Sequence, residues 1–266
     1  MENCYWEKLK GSSNNPNLPD LETMQQFTLD AIAASGNGSM TDAQKWALNH
    51  FFYQIGAISD SGVFSKLEIL CLPFIGGTKN GALTDFAKGL TAGSISGSVT
   101  FANGGFVASA AKTNIADYTL ENGPDGNYFA FIAGAKSAPV RVILPCTDNI
   151  TLTAQLDNNN TGIDLSTYVS YSSLITAGIS SVENIKGVTM NINNGVGTIY
   201  AFNSETVQKM SATYHSSEDT HTFKRVVPRV GTTSNAPYAY AFGSNVTEEE
   251  QLAFTEAVKE LMSAFA

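Results

Sequence analysis

The sequence predicts a mainly β protein, an antiparallel sandwich or barrel with helices near both termini. Charged residues make up only 15% of the 266 residues, below the roughly 25% of an average soluble domain. Gly, Ser, Thr and Asn take their place, and these residues suit short strands joined by tight turns better than helices. Turn signals separate apolar segments through the middle of the chain, and apolar residues at helical spacing lie on either side of it.

Two helices frame the predicted strands. Thr41 and Gln44 form a capping box, with Thr41 as the N-cap, and Thr247 and Glu250 form a second one. Gly56 ends the first helix. The inward positions recur at helical spacing: Ala43, Trp46, Ala47, His50, Phe51 and Ile55, then Phe254, Val258, Leu261 and Phe265. Such stripes must be covered, so we expect both helices to pack on the sandwich.

Strands are predicted between residues 57 and 244. Asn193-Asn194-Gly195 lies between two apolar segments and is a strong hairpin signal. A weaker helix is predicted before this region, over residues 22–34. The predicted strands cover residues 66–73, 127–132, 140–144, 149–156, 168–171, 188–192 and 197–202.

Residues 1–20 differ in composition from the rest and are predicted to form an N-terminal docking arm. Pro16, Pro19 and the asparagines around them exclude a helix or a central strand. Tyr5 and Trp6 form a small apolar cluster before this segment, and we expect them to dock on a partner. The same composition also fits a disordered tail. Residues 21–266 are predicted to form one domain.

Charge and hydropathy exclude several classes of function. The net charge is −9 and Lys and Arg form no run, so we expect neither nucleic-acid binding nor attraction to anionic membranes. No apolar segment approaches the length of a membrane span, and the polar N-terminus does not resemble a signal peptide. We therefore expect folding in a reducing cytosol. The odd cysteine count, Cys4, Cys71 and Cys146, then indicates free thiols.

The acidic residues do not form the pair that a glycosidase of this fold needs. Such enzymes place two carboxylates on one face of a strand, at alternating positions. The nearest pairs are Glu121 with Asp125, beside a Gly-Pro turn, and Glu218 with Asp219, in a polar segment. The sequence also has no nucleophile elbow and no phosphate loop. We therefore predict no enzymatic activity and no catalytic residues.

Metal sites are also not predicted, and no cofactor is expected. His50 lies on a helix, whereas His215 and His221 flank a polar segment without a third zinc ligand. Asp157 begins a segment that resembles a calcium loop, but Tyr168 stands where a bidentate Glu is needed.

Tyrosines are the remaining candidates for binding. An exposed ring stacks on a sugar or anchors a protein interface. The sequence does not select a sugar site among the tyrosines in or near strands and loops: Tyr168, Tyr171, Tyr200, Tyr214, Tyr238 and Tyr240.

The order and spacing of several motifs over residues 24–266 resemble a group of phage virion proteins, tail-fibre or structural, with a concanavalin A-like (LamG-like) jelly roll. The motifs are Asp30-Ala31, residues 33–36, residues 41–48, Phe51-Phe52, Gly56, Lys66-Leu67, residues 72–78, residues 246–252 and residues 257–261. The resemblance implies an antiparallel jelly-roll sandwich with its terminal helices packed beside it.

The same resemblance implies a virion structural protein, made in the host cytoplasm, with other virion proteins as partners and a homo-oligomeric state. A trimer follows from analogy with fibres alone. The chain lacks the coiled-coil or β-helical shaft of a long fibre, so capsid and tail positions stay open. The alternative is a lectin that recognises a host surface glycan. A glycoside hydrolase is the third hypothesis, and the missing carboxylate pair weighs against it.

Overall fold

The computed structural model describes residues 23–266 with gaps. The proposed docking arm, with Tyr5 and Trp6, lies outside the described residues. The gaps are residues 60, 88, 90, 93, 97–98, 103–104, 109–111, 115–126, 135–139, 146–150, 157–159, 167–170, 180, 215–228 and 231–237.

Three α-helices lie near the two ends of the described chain: α1 (Gln26–Ser35), α2 (Asp42–Gln54) and α3 (Glu248–Ala264). Both predicted capping boxes are confirmed. Thr41 Oγ1 accepts a hydrogen bond from the Gln44 backbone N–H, and the Thr41 N–H donates to Gln44 Oε1. Thr247 and Glu250 exchange the same two bonds before α3. Among the described residues, no helix is both long and apolar enough to cross a membrane.

The described strands are short and follow one another closely. They are β1 (Leu67–Cys71), β2 (Thr84–Asp85), β3 (Thr91–Ala92), β4 (Ser94–Ser96), β5 (Val99–Ala102), β6 (Gly105–Ala108), β7 (Lys112–Asn114), β8 (Tyr128–Ala133), β9 (Val140–Pro145), β10 (Thr151–Leu156), β11 (Asn160–Ser166), β12 (Tyr171–Gly178), β13 (Gly187–Asn193), β14 (Val196–Phe202), β15 (Val207–Met210), β16 (Ala212–Tyr214), β17 (Arg229–Val230) and β18 (Ala239–Gly243).

The strands form two antiparallel sheets and a small ribbon. The first sheet has the order β15-β14-β13-β8-β18-β1-β2-β3, and the second has the order β16-β12-β11-β10-β9-β17-β7-β4. Strands β5 and β6 pair with each other. The first and last described strands, β1 and β18, are therefore neighbours inside the first sheet. This arrangement confirms the predicted mainly β, antiparallel sandwich with helices near both termini.

The predicted hairpin connects β13 and β14. Asn193 pairs with Val196 at its end, so Asn194 and Gly195 form the two-residue turn. Their φ angles are 50° and 74°, the left-handed values that a two-residue turn of this kind requires. Asn and Gly adopt these angles more easily than other residues.

The central strands of the first sheet are buried on both faces. Strand β8 alternates between them: Tyr128, Ala130 and Ile132 face the second sheet, and Phe129 and Phe131 face the helices. This alternation follows from the two-residue period of a strand. The sandwich therefore has one core between its sheets and a second core beneath the helices.

The helical stripes cover the second core. Phe51, Phe254, Val258 and Leu261 are all buried, as predicted. Trp46 is half-buried, whereas Ala43 is exposed, so the predicted inward position of Ala43 is wrong. Ala43 lies in the first turn of α2, before the buried part of the helix, and Leu48 is buried although it was not predicted to be.

Candidate functional site

Exposure separates the predicted tyrosines. Tyr200 and Tyr240 are 6% and 1% exposed, whereas Tyr238 is 43% exposed. Tyr168 and the side chains of Tyr171 and Tyr214 lie outside the described residues. Among the candidates whose side chains the structure describes, Tyr238 is therefore the one exposed to solvent.

The backbone of Tyr238 is fixed at one end of the first sheet. Its N–H donates to the Ala133 carbonyl at 2.9 Å, and its own carbonyl accepts from the Phe74 N–H at 3.1 Å. The residue directly precedes β18, which is paired with β8 and β1. Sites carried by strands are held more rigidly than sites carried by loops. The backbone that carries the exposed ring is therefore held in place by hydrogen bonds.

Two phenylalanines from distant parts of the chain meet beside this point. Phe74 follows β1, and Phe265 caps the end of α3. Their ring centroids are 5.3 Å apart at 82°, the edge-to-face arrangement that aromatic pairs favour. Both rings are partly buried against the second core. The Phe74 backbone is bonded to the Tyr238 backbone, and we call Phe74, Tyr238 and Phe265 the aromatic patch. Sequence reasoning placed Phe265 in a helical stripe and did not connect it with Phe74.

The opposite end of the first sheet carries a cluster of side-chain amides. Asn127 Nδ2 donates to Asn245 Oδ1 at 2.9 Å, and the Asn194 N–H donates to Asn127 Oδ1 at 2.8 Å. Asn191 Nδ2 donates to the Val246 carbonyl at 2.8 Å. These bonds join the β13–β14 hairpin to the segment that enters α3. Their role in the fold is to fix that connection.

The acidic start of α3 is held by ion pairs. Glu248 Oε1 accepts hydrogen bonds from Lys209 Nζ and from the Tyr200 hydroxyl, the latter at 2.8 Å. Hydrogen bonding from Lys209 and Tyr200 lowers the pKa of Glu248, while burial and Glu248 raise the pKa of Tyr200 to about 12. Lys66 Nζ lies 2.6 Å from Glu250 Oε2. These ion pairs hold the start of α3 against the first sheet.

The predicted buried thiol is confirmed for Cys71, which is 0% exposed. Burial and the nearby Asp85 carboxylate raise its pKa, against a hydrogen bond from Tyr240. A thiol with a raised pKa stays protonated and is a poor nucleophile. Cys4 and Cys146 lie outside the described residues.

Most of the other residues considered for chemistry lie outside the described part of the chain: Glu121, Asp125, Asp157, His215, Glu218, Asp219 and His221. Within the described ranges, no group of three or more His, Cys, Asp or Glu side chains is placed to hold a metal ion.

His50 lies half-buried between α2 and α3. Its Nδ1 is 3.8 Å from Glu260 Oε2. Burial lowers the pKa of His50 below the usual 6.5, and the Glu260 charge opposes this effect. The unfolded chain therefore binds a proton at His50 more readily than the folded chain does.

This difference predicts a loss of stability in weak acid. The unfolded state takes up more protons as the pH falls through 6.5, so the free energy of unfolding decreases below that pH. We expect His50→Gln to flatten the profile measured by denaturant titration from about pH 8 to about pH 5. The carboxylate of Glu248, whose pKa lies below 4.5, contributes only in stronger acid. If the free energy of unfolding fell equally steeply with pH in the native chain and in the variant, His50 would not be the cause of the loss.

Comparison with known proteins finds similarity to solved structures. No family model and no curated protein matches this sequence. The ligand-binding domain of botulinum neurotoxin serotype D, solved with N-acetylneuraminic acid, has 12% identity and a TM-score of 0.45, over 72% of this chain and 50% of that one. A botulinum neurotoxin type C structure, described as entering cells through two ganglioside molecules, has 11% identity and a TM-score of 0.43, over 73% of this chain and 52% of that one.

A further structure, described as a receptor-binding domain, has 9% identity and a TM-score of 0.47, over 78% of this chain and 53% of that one. This chain spans about half the length of the structures it matches. All three likenesses concern the fold.

Proposed function

We propose that this protein is a non-catalytic binding module that contacts a surface glycan through the aromatic patch. The observation that carries the proposal is the exposed ring of Tyr238 on a backbone bonded to Ala133 and Phe74. The apolar face of a tyrosine packs on the C–H groups of a sugar, while its hydroxyl bonds to sugar hydroxyls. A ring with a fixed base loses little conformational entropy on binding.

Phe74 and Phe265 support this role because they anchor the patch in the core. Both rings are partly buried against the helix-covered core, and the Phe74 N–H donates to the Tyr238 carbonyl. The acidic start of α3 is a weaker candidate for the glycan site, because Glu248 and Glu250 are already paired with Lys209 and Lys66.

The sequence resemblance supports the wider setting of the proposal. The module belongs to a phage particle assembled in the host cytoplasm, where residues 21–266 form the jelly-roll domain. Residues 1–20 dock on other virion proteins through Tyr5 and Trp6, and copies associate as a trimer. Weak single contacts with a glycan then add through multivalency. Sedimentation of the full chain tests the trimer, and incorporation into particles of a chain lacking residues 1–20 tests the arm.

A glycan array tests the function of the patch. We expect Tyr238→Ala to weaken binding to the recognised glycan by about tenfold or more, and Tyr238→Phe to weaken it less because the ring remains. Val196→Ala is the matched control, since Val196 is 60% exposed at the opposite end of the same sheet. It should bind like the native chain.

Two results would overturn the proposal. One is unchanged glycan binding by a folded Tyr238→Ala variant, which would place any site elsewhere. The other is cleavage of the bound glycan that disappears in Glu121→Gln or Glu218→Gln, which would make the protein an enzyme. The cleavage assay is run on the same glycans as the array.

A further inference from the structure

Three Asn-Gly pairs lie in the described residues: Asn37-Gly38, Asn80-Gly81 and Asn194-Gly195. An asparagine followed by glycine is prone to deamidation because glycine has no side chain to hinder ring closure. The backbone nitrogen of the glycine attacks the side-chain carbonyl carbon of the asparagine. The new C–N bond closes an imide, the bond to Nδ2 breaks, and the amide leaves as ammonia.

The imide then consumes one water molecule. Opening at the side-chain carbonyl gives aspartate, and opening at the main-chain carbonyl gives isoaspartate. Neither product requires an oxidant, a reductant or a cofactor, because the overall reaction consumes one water molecule and releases one ammonia molecule. The rate depends on whether the fold leaves the asparagine side chain and the glycine nitrogen free to meet.

The fold holds the first pair in place. Asn37 Nδ2 donates to the Ile75 carbonyl at 3.1 Å. Asn37 Oδ1 accepts from both the backbone N–H and the hydroxyl of Ser39, at 3.2 Å and 2.9 Å. These bonds must break before the side-chain carbonyl can turn towards Gly38.

The second pair is blocked at its nucleophile. The Gly81 N–H donates to Thr78 Oγ1 at 3.0 Å, and Gly81 is buried. A Cβ at this glycine would lie 1.8 Å from the Ser35 carbonyl oxygen, so its backbone is packed directly against Ser35. Rotation of this peptide towards Asn80 would require that packing to open.

The third pair is free of these restraints. Asn194 and Gly195 are both exposed at the tip of the β13–β14 hairpin. Nothing lies within 4 Å of a Cβ built on Gly195. Asn194 is tied to the cluster of amides through its backbone N–H, and within the described part of the chain its side chain makes no hydrogen bond. We infer that Asn194 is a modification site, at which spontaneous deamidation produces aspartate and isoaspartate selectively over Asn37 and Asn80.

Modification would change this end of the sheet. Isoaspartate adds one methylene to the backbone of a two-residue turn, which disturbs the Asn193–Val196 pair. It also displaces the Asn194 N–H that donates to Asn127 Oδ1. Both products add a negative charge near the acidic start of α3. The aromatic patch lies at the opposite end of the sheet, so the inference does not depend on glycan binding.

Peptide mapping of the aged native protein tests the inference. Replacement of an amide by an acid raises the mass of a peptide by about one dalton, and isoaspartate elutes separately from aspartate. We expect the peptide containing Asn194 to be converted about tenfold faster or more than those containing Asn37 or Asn80. The same incubation in denaturant is the control, and there the three rates should converge.

The pattern of rates decides the outcome. An unmodified Asn194 in the folded chain, or conversion of Asn37 or Asn80 at the same rate, would overturn the inference. Asn194→Gln supplies a second check, since its longer side chain forms the cyclic imide far less readily. This variant should lose the modified peptide, although Gln adopts the left-handed φ of the turn less easily than Asn does.

Discussion

Phe254→Ala should lower the free energy of unfolding by about 3–5 kcal/mol. Phe254 is 0% exposed and lies at the centre of the helix-covered core. Its ring centroid is 5.4 Å from that of Phe129, 5.3 Å from that of Phe131 and 6.1 Å from that of Phe51. Truncation leaves a cavity that the sheet on one side and α2 on the other cannot close.

Denaturant titration measures this loss, with Leu252→Ala as the matched control. Leu252 lies on the same helix and is 38% exposed, so its truncation should change stability by about 0.5 kcal/mol or less. Equally large losses for the two variants would mean that burial against the core does not set the cost of truncation on α3. A small loss for both would mean that the helix adds little to folding.

Gly56→Ala is expected to have a comparable effect for a different reason. Gly56 follows α2 with a φ of 88°, and a Cβ there would lie 2.1 Å from the Ser61 carbonyl oxygen. The backbone strain and the steric clash together should cost about 3–5 kcal/mol. The contacting atom belongs to the backbone, so a side-chain rotation cannot relieve the clash.

Gly195→Ala separates the cost of backbone strain from the cost of the steric clash. Gly195 has a similar φ of 74°, but nothing lies within 4 Å of its Cβ position. This variant should lose only about 1–2 kcal/mol from the left-handed backbone. Thermal or denaturant unfolding of both variants gives the comparison. Equal losses would show that the Ser61 contact adds nothing to the strain.

The Phe254 variant addresses the core that supports the proposed binding surface. The aromatic patch is attached to the core that Phe254 fills, because Phe74 and Phe265 pack against that same cluster. A folded Tyr238→Ala variant removes only the exposed ring. Loss of glycan binding with unchanged stability would therefore separate recognition from folding.

The sequence by itself determined the features that depend on a few neighbouring residues. The capping boxes at Thr41 and Thr247 are closed by residues three positions along the chain. The Asn194-Gly195 turn requires left-handed angles that these two residue types adopt readily. Such local bonds are independent of which sheet or helix packs alongside. The mainly β class followed in the same way from the frequency of turn signals.

Tertiary structure decided which side chains are buried and which meet. The sequence does not distinguish Tyr200, Tyr238 and Tyr240. The packing of α3 and of the two sheets buries Tyr200 and Tyr240 and leaves Tyr238 exposed. Phe74 and Phe265 come from opposite ends of the domain and are brought together because β1 and β18 are neighbours in one sheet and α3 packs across it. Contacts between segments so far apart depend on the pairing order of the strands, which no local pattern encodes.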